Sequence, residues 1–123
     1  MELGRIKDIL DASFLSRDND MGINITSVYS ADLMSDVLAF SITNSLLITH
    51  LTNAQVIRTA EVADVQAIVF VQGKKPDVET IVLANEKKIP LLVTNLSMFE
   101  ACGVLHEKGL RSCCDKSSDG KDI

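Results

Sequence analysis

Three polar clusters, each placed directly after an apolar run, carry most of the chemistry this sequence can offer. The first is Thr49, His50, Thr52 and Asn53, the second Gln72, Gly73, Lys74 and Lys75, the third Thr94, Asn95 and Ser97. Together they supply hydroxyls, amides, an imidazole and two ammonium groups. Each also stands where a helix is expected to begin, and helix N-termini beside lysines attract anions. The chemistry that follows is recognition of an anionic small molecule, such as a nucleotide or a phosphorylated metabolite. A plainer account stands beside it, with Thr52 and Ser97 as helix caps, Gly73 as a tight turn, and Lys74 and Lys75 as solvated loop charges.

Other reactive residue types form no constellation. The sequence has no Gly-x-Gly-x-x-Gly and no Gly-x-x-x-x-Gly-Lys-Ser/Thr, so neither a dinucleotide fingerprint nor a P-loop is expected. His50 at a strand end is read as a polar loop residue or ligand contact in preference to an acid or base. His106 is read as a complement to a helix C-terminus. Cys102 shares an apolar helix face with Met98, Ala101 and Leu105 and is expected to be a small core residue. Cys113 and Cys114 fall in a polar segment with only His106 and Asp115 as further ligands, which suits surface thiols better than zinc. An odd count with an adjacent pair is also a poor disulfide framework. Asp32 and Asp36, four apart on an expected helix, read as a solvated face. No catalytic residue, no metal and no cofactor is therefore expected.

The elements that must position the three clusters follow from periodicity. Apolar residues at Leu3, Ile6, Ile9 and Leu10 mark a short helix, 12–15 a short strand, and 16–22 a polar turn. Residues 23–29 alternate as a half-exposed strand. Residues 30–40 have helical spacing, with Ser30 as N-cap and Asp32 in the first turn. Three strand-helix units come next: 45–49 then 53–63, 66–71 then 76–88, and 90–94 then 97–108. Thr52 with Gln55, and Ser97 with Glu100, fit capping boxes. Pro76 suits a first helical position, and Gly109 a helix end. Such alternation predicts an α/β domain over 1–110 with three α/β/α layers. Its sheet would be mixed, mostly parallel and about four to five strands wide, its first part free to run antiparallel. Parallel neighbours would bring the three clusters to one rim, where open α/β sheets bind ligands. Residues 111–123 turn polar and are expected to be a mobile tail.

Bulk properties exclude several classes. The chain has 123 residues, fitting one domain, and 46% hydrophobic content with 4% aromatic and no Trp leaves Val, Ile, Leu and Ala to fill the core. A net charge of −5 argues against nucleic acid as a partner. No run approaches the roughly 18 apolar residues of a membrane span. The N-terminus lacks the pattern of a signal peptide, so a cytoplasmic location with reduced thiols is expected.

Against this background the strand-helix core resembles the DRTGG domain. The resemblance rests on residues 45–52, on Ala67-Ile68-Val69-Phe70-Val71-Gln72-Gly73-Lys74-Lys75-Pro76, and on residues 89–99, which open Ile89-Pro90 and hold Thr94 and Phe99. In that family one strand ends in Gly-Asp-Arg, and a second in Thr-Gly-Gly before a Pro-started helix. A third reads Ile-Pro-Val, with Thr nearby and Phe in the next helix. The likeness covers nearly all of 3–110. Residues 6–10 and 25–40 also resemble the related N-terminal domain of HPr kinase/phosphorylase. The Asp-Arg position is Leu51-Thr52 here and the Thr-Gly-Gly position Val71-Gln72-Gly73, which indicates a divergent, stand-alone branch. Residues 30–38 resemble short relatives associated with hydrogenase-type redox gene clusters.

The resemblance implies regulation. Such domains accompany phosphotransacetylase-like and CBS-containing pyrophosphatase chains, and the kinase activity of HPr kinase lies in a P-loop domain that this sequence lacks. It also implies a homodimer and a protein partner of the redox or metabolic enzyme class. The expectation is a non-catalytic ligand-sensing module. The alternatives are a protein-protein interaction subunit without a small-molecule site, and an enzyme using His50, Lys74 or Asn95.

Overall fold

A computed structural model of the chain describes residues 1–16 and 21–113. The turn expected over 16–22 and the tail from 114 onward, with Cys114, fall wholly or partly outside the described residues. Three central strands are continuous apolar runs, and all their residues are buried: β3 (Ser45–Thr49), β4 (Ala67–Phe70) and β5 (Leu91–Val93). Such runs suit parallel strands covered on both faces. With β1 (Ser13–Phe14), β2 (Ser27–Ser30) and β6 (Arg111–Ser112) they form one sheet in the order β1-β5-β4-β3-β2-β6. β1 is antiparallel to β5, and the other pairs are parallel.

Side-chain alternation divides the core in two. Leu46 and Ile48 of β3, Ala67 and Val69 of β4, and Leu92 of β5 face α1 (Leu3–Ile9) and α5 (Met98–Glu107). Leu47, Ile68, Phe70, Leu91 and Val93 face α2 (Met34–Phe40), α3 (Ala54–Val62) and α4 (Val78–Lys87). The architecture is thus three-layer α/β/α. Stepping β2→β3→β4→β5 in one direction puts α2, α3 and α4 on one face. The return from β5 to β6 at the far edge puts α5 on the other, as right-handed crossovers require.

Several local expectations shift. The sheet has six strands because Arg111 and Ser112, expected to open the tail, pair with Ser27 and Val28 of β2. Cys113 follows them: its amide donates to the Val28 carbonyl and its Sγ lies 3.2 Å from Ser27 Oγ, so it is half-buried against the sheet. Ser30 is the last residue of β2, not a cap, because the chain stays extended beside β3, with the Ala31 amide on Ile48 O at 3.1 Å. α2 starts four residues later, capped at Leu33 without a side-chain bond. α4 starts at Val78, because Asp77 caps it by accepting from the Thr80 amide at 2.8 Å and leaves Pro76 outside. As expected of a helix end, Gly109 has φ +106 just beyond α5.

Among the described residues, one buried group is left over. Ser45 Oγ, at the start of β3, is fully buried without a hydrogen-bond partner. A buried unpaired hydroxyl costs about 1–3 kcal/mol. Ser45→Ala is therefore expected to be neutral or to stabilise the fold by up to about 1 kcal/mol. Urea unfolding checks this, and a loss above about 1 kcal/mol would mean that the hydroxyl has a partner in solution.

Candidate functional site

Because β2 to β5 run parallel, their C-terminal ends share one rim. On it stand Asp32 after β2, Thr49 to Asn53 after β3, Gln72 to Lys75 after β4, and Thr94 to Ser97 after β5. The three predicted clusters are thus brought to one edge, with that of β4 in the middle. The outgoing connections of β4 and β5 pass to opposite faces, so a topological switch lies between them, the usual place for a ligand crevice in open α/β sheets.

Hydrogen bonding decides what each residue has to offer. Thr49 is buried, donates from Oγ1 to Asp32 Oδ1 at 2.9 Å, and accepts from the Leu51 amide at 3.2 Å. The His50 amide donates to the same Asp32 oxygen at 2.8 Å, and His50 Nδ1 lies 3.0 Å from Oδ2. A carboxylate only accepts, so the network assigns the Nδ1 proton to His50 and leaves Nε2 as the ring nitrogen that Asp32 does not engage. Partial burial pushes the Asp32 carboxyl up. The His50 amide, the Thr49 hydroxyl, and the His50 ring and its charge outweigh this, holding it below its ordinary value.

At the end of β4, Gln72 and Gly73 both take positive φ, 57° and 67°, and the Lys74 amide donates to Val71 O at 3.1 Å. This is a type I′ turn. It aims the Gln72 amide at Leu96 O and the Gly73 amide at Thr94 O, both at 2.9 Å. A Cβ on Gly73 would come 2.9 Å from Asn95 Oδ1, so backbone and space both demand glycine. At the end of β5, buried Thr94 donates from Oγ1 to Leu10 O at 2.7 Å and accepts from the Leu96 amide at 3.2 Å. Ser97 and Glu100 form the expected capping box, in which the Ser97 amide holds the Glu100 carboxyl below its ordinary value.

The hydroxyls of Thr49, Thr94 and Ser97 and the turn at Gly73 are therefore engaged in shaping the rim. Asn53, Gln72, Lys74, Lys75 and Asn95 are exposed, while His50 and Thr52 are half-buried. Thr52 is not a cap: Asn53 holds the N-cap position of α3 without a side-chain bond, and Gln55 turns to Thr59 instead, Nε2 to Oγ1 at 3.5 Å. Asp32 lies outside α2, so it shares no helix face with Asp36. It is also the rim residue that local spacing misses. Its signal lies in the β2–β3 register: Ser30 pairs with Ile48, which carries Asp32 alongside His50.

Two cavities flank this framework. One of about 430 Å³ between α3 and α4 holds Asn53 at the rim, but its charged lining is Arg58 against Asp77, Glu79 and Glu86, which disfavours anions. The other, of about 520 Å³, lies between α5 and the β2–β6 edge and is lined by none of the predicted residues. Cys102 lines it, half-buried against the core. Among the described residues no group of three or more His, Cys, Asp or Glu is placed to hold a metal ion, and no helix is long and apolar enough to cross a membrane.

No protein-family model matches the chain, and neither does any curated protein. A solved structure does match: the CBS and DRTGG domains of the regulatory region of Clostridium perfringens pyrophosphatase, complexed with the activator diadenosine tetraphosphate. The TM-score is 0.63 at 20% sequence identity, over 85% of this chain and 45% of that one. The likeness shows a shared fold, and this chain spans under half of its neighbour's length.

The Asp32 pairing makes a pH prediction. A carboxyl held low in the folded state stabilises above its ordinary value of 3.8, and that contribution is lost as pH falls through the lowered value. Asp32→Asn is expected to lower the Tm at neutral pH and to lower it less as the pH falls through the lowered value, where Asp32 itself loses its charge. Asp32 is 46% exposed, so screening keeps the effect small and makes it shrink in salt. Thermal unfolding across this pH range checks it. An equal Tm deficit at both ends would place the effect in shape instead of charge.

Proposed function

We propose that the chain is a non-catalytic regulatory module of the DRTGG type, sensing a nucleotide or other anionic small molecule at the rim where β3, β4 and β5 end. The observation that carries this is the fold match over 85% of the chain to a regulatory region crystallised with a nucleotide activator. The resemblance of residues 3–110 to the DRTGG domain points the same way. Lys74 and Lys75 supply exposed positive charge at the β4–β5 switch, with Asn95 beside the turn and His50 Nε2 on the next strand end. On this proposal the Asp32–His50 pair positions the imidazole for contact and not for proton transfer. The module acts in the cytoplasm as a homodimer, alongside a redox or metabolic enzyme.

A second reading has its own observation. Leu33, Leu38, Phe40 and Ile42, in and around α2, are 61%, 50%, 51% and 49% exposed, which favours a protein-interaction subunit.

Thermal shift with AMP, diadenosine tetraphosphate and a panel of phosphorylated metabolites separates the two. A ligand at a hundred times its Kd stabilises by about 2.7 kcal/mol. That shift is expected for at least one compound and is expected to vanish in Lys74→Ala/Lys75→Ala. No shift with any compound, together with a stable protein partner whose capture is lost in Leu38→Asp/Phe40→Asp, would replace sensing by interaction.

A further inference from the structure

We propose that the cavity of about 520 Å³ between α5 and the β2–β6 edge is a second binding site, for a small molecule joining a planar aromatic group to an anionic one. Its volume lies in the range of small-molecule pockets. α5 meets the core through buried Ala101 and Leu105, with Met98, Cys102 and Val104 packed against it. Phe99, Cys102, Gly103 and His106, at helical spacing, line the cavity together with Leu105. Phe99 is 88% exposed, so its ring is left largely uncovered by the described residues.

Gly103 is the independent observation. A glycine inside a helix costs about 1 kcal/mol relative to alanine. Glycine usually earns such a place by close packing or a left-handed backbone. Neither holds here, since an added Cβ would meet nothing within 4 Å and φ is not positive. What the missing side chain does is flatten the cavity wall next to Phe99, so that a planar group can lie against the helix backbone. Val28 and Leu110 add apolar lining. His106 in the last turn of α5 and Arg111 in β6 also line the cavity. Arg111 carries its positive charge at any ordinary pH, and no Asp or Glu is among the residues lining the cavity, which favours a phosphate, sulfonate or carboxylate there. None of these residues belongs to the rim clusters, so this site stands apart from the one proposed above.

Amide NMR titration of the full chain with naphthyl phosphate and with naphthol tests this. Naphthyl phosphate is expected to shift amides of 28–30, 99–106 and 110–112 saturably and to bind about tenfold tighter than naphthol. Gly103→Leu fills the cavity and is expected to raise the Kd by about tenfold or more while the Tm holds or rises, since leucine is the better helix former. Arg111→Gln is expected to narrow the preference for the phosphate. Lys74→Ala/Lys75→Ala is expected to change none of this, so failure at the rim and failure here are distinguishable. Shifts centred on Leu38 and Phe40, no saturation, or a Kd unchanged by Gly103→Leu would each overturn the proposal.

Discussion

Burial of β3, β4 and β5 on both faces is the constraint from which the rest follows. Every residue of these strands is inside, so their backbone groups must pair with neighbouring strands and their side chains are apolar or hydrogen-bonded, Ser45 excepted. Water reaches the strands only at their ends. Polar chemistry is thereby confined to the rims, and the parallel direction collects four strand ends on one of them.

Two of those strands end in the same way. Thr49 and Thr94 are both buried, each donates its hydroxyl to a distant acceptor, and each accepts the amide two residues on. The hydroxyl thus turns the chain out of the sheet and ties it to another segment, the Asp32 loop for β3 and the end of α1 for β5. β4, between them, ends at Phe70, and Val71 after it has no hydroxyl to use. It turns instead through Gln72 and Gly73, whose amides bond to the β5 exit. The β4 and β5 exits therefore hold each other. A ligand at this switch would meet side chains, because the backbone donors of the turn are already engaged.

This division explains what the sequence made legible. Apolar runs, their spacing, Gly73, Gly109 and the Ser97–Glu100 box are local signals, and they place the strands, the layers and the rim. Partners far apart in the chain leave no local trace. Asp32 looks like a helix-start residue until the β2–β3 register sets it beside His50. Thr52 with Gln55 has the spacing of a capping box, but Gln55 finds Thr59 one turn further along. β6 was missed because two polar residues carry no alternation, and its pairing depends on where α5 delivers the chain. The aim of the three clusters was readable, whereas which hydroxyls remained available was not.

Chain direction also explains why the two faces differ. Three consecutive crossovers lay α2, α3 and α4 side by side on one face, with α3 against both neighbours. The single return leaves α5 with the other face, shared among the described elements with α1, and α5 lies over β3. Beyond α5, toward β2 and β6, the described residues place no further helix, and the space there is the cavity that Phe99 and Gly103 line. α2 ends the opposite layer above the same side of the sheet, with Phe40 packed on Tyr29 at 6.3 Å between ring centres. The apolar surface exposed by α2 and the cavity beside α5 therefore have one cause. A sheet that grows in one direction and closes with one long return covers its middle fully and its last edge least.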